Sequence, residues 1–171
     1  FDLFASVINK DLNGVLGNFV SRVLKMTSSK IGNTVPEGGE FGELEYKLIG
    51  NLQARVNDYF KYFNELEFRK AFAELRAIWV EGNNYISEAE PWVVIKENPE
   101  KASMILRTCI NLIRIFAILS APIIPHTSEQ MLAKLNLNIS DCPSLKGFDI
   151  ETEITQVKEG TPFEVGDMLF E

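Results

Sequence analysis

Histidine and cysteine are almost absent from this chain, which holds one histidine, His126, and two cysteines, Cys109 and Cys142. These three residues cannot close a zinc site of Cys and His ligands, and their spacing fits no ligand pattern. The two thiols are expected to be free, as in a reducing cytoplasm. A glycine-rich phosphate cradle after a strand is also missing. No basic start with a cleavage site precedes Phe1-Asp2-Leu3-Phe4, so no signal peptide is read there. A start without methionine points to a piece of a longer protein. The longest apolar stretch, residues 110–124, is interrupted by Asn111, Arg114, Ser120 and Pro122, and is expected to fall short of a membrane crossing. Asn138-Ile139-Ser140 matches a glycosylation acceptor, a short and common pattern that counts as noise without a secretory signal. Cation excess is lacking too. A net charge of −7 argues against a protein that coats nucleic acid through charge, and leaves room for recognition of a few unstacked bases at one local site.

Apolar residues are plentiful. They make up 46% of the chain, enough for a real core in one domain with a tail. Periodicity predicts helices over 2–29, 42–63, 67–87, 99–120 and 125–135. The first carries Leu3, Phe4, Val7, Ile8, Leu12, Val15, Leu16, Phe19, Val20, Val23 and Leu24 in steps of three and four. Gly14 and Gly17 inside it imply close backbone approach by another helix or a ligand. The buried stripe of the third helix is expected to be Phe68, Phe72, Leu75, Ile78, Trp79 and Ile86. Pro91 disfavours helix at Glu90 and can begin a short helix itself. After Asn136 the glycines and prolines return, and residues 137–171 read as an irregular or partly extended tail ending among Phe163, Val165, Met168, Leu169 and Phe170. The expected architecture is all-α: an up-and-down bundle of about five helices over 1–136, with the extension 137–171.

Catalytic residues are not evident. His126 follows Pro125 at a helix start and is expected to cap or be partly buried. The acid pairs Glu43/Glu45 and Glu88/Glu90 are expected to be solvated charge. Two features point elsewhere. Asn18 and Arg22 stand four apart on one helix face and together could read the polar edge of one base, or be an ordinary surface pair. Trp92 follows Pro91, with Lys96 four residues on. An indole at a loop edge can stack on an unpaired base, worth roughly 1–3 kcal/mol, or it can cap the core between helices.

In this order and spacing, these segments resemble the anticodon-binding domain of the methionyl-tRNA synthetase family over nearly the whole chain. Asn9-Lys10-Asp11-Leu12-Asn13 is similar to the family's Asn-x-Asp-Leu helix start. Leu16-Gly17-Asn18-Phe19-Val20-Ser21-Arg22 is similar to its Leu-Gly-Asn-Leu-x-x-Arg. Glu90-Pro91-Trp92 is similar to its Ala/Ser-Pro-Trp, and Leu119 to Pro125 to its apolar-Pro-x-x-Pro stretch. The resemblance implies a class Ia helix bundle whose Asn18, Arg22 and Trp92 bind the CAU anticodon. Trp92 would stack on the first base, a cytosine, and the polar pair would help identify it. Lys96 and Lys25 are implied as RNA backbone contacts. Glu90 departs from the pattern by placing negative charge where a small residue is usual.

The resemblance further implies a full-length cytoplasmic enzyme that attaches methionine to tRNA. Its ATP, magnesium and any structural zinc would belong to a catalytic domain outside this chain. The implied partners are the anticodon loop of the methionine tRNA and that catalytic domain, toward which the extension would pack; no membrane is implied. Lys25-Met26-Thr27-Ser28-Ser29-Lys30 is loosely similar to the nucleotide-binding lysine-methionine-serine-lysine-serine signature of class I synthetases, but the spacing is wrong and the segment ends an amphipathic helix. Two alternatives stand beside this reading: the related domain of an isoleucyl-, valyl-, leucyl- or cysteinyl-tRNA synthetase, or a helical protein-interaction module without RNA binding. RNA binding requires Arg22, Lys25 and Lys96 to share an exposed face with Trp92, whereas an interaction module requires an apolar patch.

Overall fold

A computed structural model describes residues 12–166. A π-helical segment, Leu12–Gly17, leads into α1 (Asn18–Lys30). There follow α2 (Glu43–Asn64), α3 (Phe68–Ala89), α4 (Pro91–Glu97), α5 (Pro99–Ser120), α6 (Pro125–Lys134), a 3₁₀ turn at Ile139–Asp141 and the short α7 (Ile150–Glu153). Among the described residues there is no sheet, only an isolated antiparallel bridge between Thr34 and Pro162. The all-α bundle is as the sequence predicts. The expected plain helix over 2–29 differs at its start: 2–11 lie outside the described residues, as does most of the Asn9–Asn13 motif, and Leu12–Gly17 is π-helical. There the Val15 carbonyl accepts from the Asn83 side chain at 3.2 Å, which draws a main-chain acceptor out of the helical ladder.

The centre of the fold is α5. Pro99 occupies its first turn, and the Asn98 side chain accepts from the Lys101 N–H at 3.2 Å, so its start is capped. Every residue from Thr108 to Ser120 is buried. By length and composition α5 could cross a membrane, contrary to the sequence expectation, but 89% of its apolar window is buried inside the bundle. Two hydrogen bonds fix its C-terminal end: Tyr59 Oη donates to the Leu119 carbonyl at 2.7 Å, and Trp79 Nε1 to Ser120 Oγ at 3.1 Å.

Four expectations are corrected. Glu45 is 3% exposed rather than solvated, because its carboxylate accepts from the Gly42 N–H at 2.8 Å and from Tyr85 Oη at 2.7 Å. Phe68 is 51% exposed rather than buried, since it opens α3 beside the turn at Leu66 and touches Phe63 at the end of the hairpin. Gly14 meets nothing within 4 Å among the described residues, so no close approach explains it. His126 is exposed and makes no cap hydrogen bond, because Pro125 already opens α6.

The described part of the extension folds back onto the bundle. Phe148, Ile150, Ile154, Val157 and Phe163 join the same core as the helices. Asn111 of α5 pairs with the Val157 backbone twice, at 2.7 and 3.2 Å, and Arg114 meets Glu153 at 3.1 Å. Met168, Leu169 and Phe170 lie outside the described residues.

Candidate nucleic-acid interface

The backbone at Glu90 sets the geometry. Its φ of 49° and ψ of 60° are left-handed, a conformation costing a non-glycine residue roughly 1–2 kcal/mol. The Glu90 N–H donates to the Ile86 carbonyl at 3.1 Å, closing α3, and its own carbonyl accepts from the Val93 and Val94 N–H groups at 3.0 Å, opening α4. Pro91 fits the first position of α4, where no N–H is needed. One residue therefore separates the two helices, and Trp92 lands in the first turn of α4, half-buried and packed against the core. The break at Glu90 and the short helix begun by Pro91 are as the sequence predicts; the left-handed backbone of Glu90 is not signalled by its residue type.

The second element is α1. The Arg22 guanidinium lies over the Trp92 ring, 5.8 Å from its centroid, within cation–π range. The first helix thus stands beside the Pro91 turn, which the residue spacing alone did not establish. Arg22 is half-buried and makes no hydrogen bond or ion pair with any described residue. Burial pushes up the thiol of Cys109 on α5, with the Arg22 charge opposing and Glu45 adding. A fully buried thiol so shifted is inert. Both cysteines are free.

The remaining candidates fall on the same two helices. Asn18 is exposed one turn before Arg22, and Lys25 is exposed three residues after it. Lys96 is exposed in the last turn of α4, four residues from Trp92. Neighbours at three and four residues share a helix face, so Asn18, Arg22 and Lys25 run along one side of α1. Glu88 and Glu90 are exposed at the joint and place negative charge at the edge of this group.

Other features of the molecule lead away from chemistry. Among the described residues no cluster of His, Cys, Asp and Glu could hold a metal ion. A cavity of about 380 Å³ opens between α5 and the extension, lined in part by Phe41, Arg107, Thr108 and Lys158. Its Arg107 is already committed. It donates to the carbonyls of Pro36, Gly38 and Gly39 at 2.8–3.1 Å and meets Glu159 at 3.4 Å, which clasps the α1–α2 loop to the extension. Exposed apolar side chains are scattered. Val93 is 45% exposed beside Trp92, while Leu66 and Phe68 lie at the other end of α3, roughly 33 Å away for a helix of 22 residues.

The family model of the anticodon binding domain of methionyl tRNA ligase matches residues 35–171. A methionine–tRNA ligase of Paracoccus denitrificans is 44% identical over 170 residues, covering 99% of this chain and 29% of the relative. One from Cereibacter sphaeroides is 43% identical over 167 residues, covering 98% of this chain and 28% of the relative. The chain thus spans under a third of the length of these relatives. In fold it is similar to the Mycobacterium tuberculosis methionyl-tRNA synthetase bound by methionyl-adenylate, with a TM-score of 0.79 at 22% identity over 99% of this chain and 33% of that one.

Proposed function

The chain belongs to the family of anticodon-binding domains of methionyl-tRNA ligase, and from that premise we propose that it recognises the CAU anticodon of the methionine tRNA through Trp92, Asn18 and Arg22. The observation that carries this reading is the Arg22 guanidinium over the Trp92 ring at 5.8 Å. It puts a flat apolar platform and a fork of donors in one place, at a joint where α1, α3 and α4 meet. The first anticodon base stacks on the indole, and the edge of that base meets Arg22 and Asn18. Stacking supplies binding and is tolerant of sequence. Hydrogen bonds supply discrimination, because a wrong base leaves the polar groups of the site unpaired. Lys25 and Lys96 contact the RNA backbone. A chain of net charge −7 has no general affinity for RNA, so recognition is confined to this patch.

Chemistry belongs to the longer protein. In this reading its catalytic domain, outside the chain, activates methionine with ATP and magnesium and transfers it to the tRNA in the cytoplasm, and the extension 137–171 packs toward it. Any structural zinc sits there too; the described residues offer no ligand cluster for one. The related domains of the isoleucyl, valyl, leucyl and cysteinyl enzymes are disfavoured by the family match, and an interaction module is disfavoured by the scatter of exposed apolar side chains.

The test is binding of this chain at low salt to an anticodon stem-loop bearing CAU, against the same hairpin with the first base changed. A preference for CAU that disappears in Trp92→Ala supports the reading. Equal binding to both hairpins rejects base recognition at this site.

A further inference from the structure

Resting on that reading, we infer that Arg22 has two seats. In the free domain its guanidinium occupies the Trp92 ring as a placeholder, and on binding it gives up that seat to the base and moves to the base's edge. Three observations lead there. Arg22 lies over the ring at 5.8 Å from the centroid, so the cation and an incoming base compete for the same indole. Arg22 has no acceptor among the described residues, where the Trp92 ring is its partner. It is nevertheless half-buried against the domain rather than free in solvent, which restricts where the side chain can go once the ring is taken.

The consequence is a coupling between stacking and base identity. Any base can stack on an indole, but each must first displace the cation from it. Cytosine offers two acceptors, O2 and N3, on the edge that faces outward from a splayed loop, and a planar fork of donors can engage them. A base without suitable acceptors displaces the guanidinium and returns nothing to it. Arg22 therefore raises the threshold for every base and lowers it again only for the right one. The platform is also kept covered while the domain is empty, which limits adventitious stacking on a half-buried tryptophan. A lysine could hold the ring seat as a point charge but could not supply the fork at the second seat.

Side-chain proton NMR of Arg22 reads both seats directly. In the free domain the Arg22 δ and ε protons should show an upfield ring-current shift, measured against the Trp92→Leu variant. Adding the CAU stem-loop should remove that shift, while a hairpin abasic at the first anticodon position should bind and leave it in place. Arg22→Lys should fold normally, bind the CAU hairpin, and lose about tenfold or more of its preference over the changed base. No upfield shift in the free domain overturns the inference. So does a shift that persists when the CAU hairpin is bound, a result that leaves anticodon recognition itself intact. Failure of the wild-type domain to bind any hairpin overturns both.

Discussion

Gly82 of α3 lies close against the ring of Phe116 on α5. A Cβ at this glycine would stand 2.7 Å from Phe116 Cε2 and 3.2 Å from Phe19 Cε1. The Phe19 and Phe116 rings are themselves tilted together with centroids 5.4 Å apart. Three helices therefore meet over one missing methyl group, and one of them is α1, which carries Arg22.

Gly82→Ala should destabilise the domain by about 1–3 kcal/mol through overpacking, even though alanine is favoured over glycine within a helix by about 1 kcal/mol. Urea unfolding measures the balance. A gain in stability would mean that the Phe116 ring has room to move. Since Phe19 sits one residue from Asn18, the same variant should also weaken binding of the CAU hairpin.

The two tryptophans should separate cleanly. Trp79 is fully buried and donates to Ser120 at 3.1 Å, so Trp79→Ala should cost roughly 3–5 kcal/mol. Trp92 is half-buried, so Trp92→Ala should cost clearly less while ending discrimination between the hairpins. Thermal melts of both variants decide this. Equal losses would place Trp92 in the core as a packing residue.

Alkaline pH should destabilise the fold. Burial raises the Tyr59, Tyr85 and Cys109 pKa values above their ordinary values of 10.0, 10.0 and 9.0, and for Tyr85 nearby Cys109 and Glu45 add to the effect. Below about pH 9 these groups are protonated in both states and their contribution is fully present. As pH climbs beyond 9 to 10, the unfolded chain releases protons that the folded one keeps, so stability falls with pH. Tyr85→Phe should flatten part of that slope. At neutral pH it should also cost about 1–3 kcal/mol, because the buried Glu45 carboxylate loses a donor. A denaturation series from pH 7 to pH 11 would show both.

The pair Arg114–Glu153 is nearly buried, with about a tenth of each side chain exposed, and ties α7 to α5. Removing one partner leaves the other charge uncompensated. Glu153→Ala should therefore lower stability by about 3–5 kcal/mol. Pairing it with Arg114→Met should recover much of the loss. If the double variant is no better than the single one, the pair is not coupled, and chemical denaturation of the set would show it.

Much of the molecule was legible before any coordinates. Strong periodicity in segments bounded by Pro91, Pro99, Pro125 and the glycines of the α1–α2 loop is enough to place helices, since proline and glycine punctuate whatever the tertiary context. Errors arose where packing outweighed pattern. Glu45 reads as a surface acid on α2, yet Tyr85, forty residues on, supplies the donor that lets it stay inside. Phe68 fits an apolar stripe, yet a helix end has fewer neighbours than its middle. The extension reads as irregular because its contacts are with α5 and α2, far away in sequence, rather than with itself.

Residue types and spacing by themselves determined an all-α chain, its breaks, and the candidates Asn18, Arg22 and Trp92, because helical periodicity and proline geometry are local properties. That Arg22 and Trp92, seventy residues apart in the chain, share one site was decided only by the tertiary structure. Two things bring them together: the left-handed turn at Glu90, which joins α3 to α4 and sets Trp92 beside Arg22 of α1, and the close packing at Gly82, where α1 and α5 meet α3. Neither is encoded in the spacing, since each depends on helices distant in sequence meeting in space.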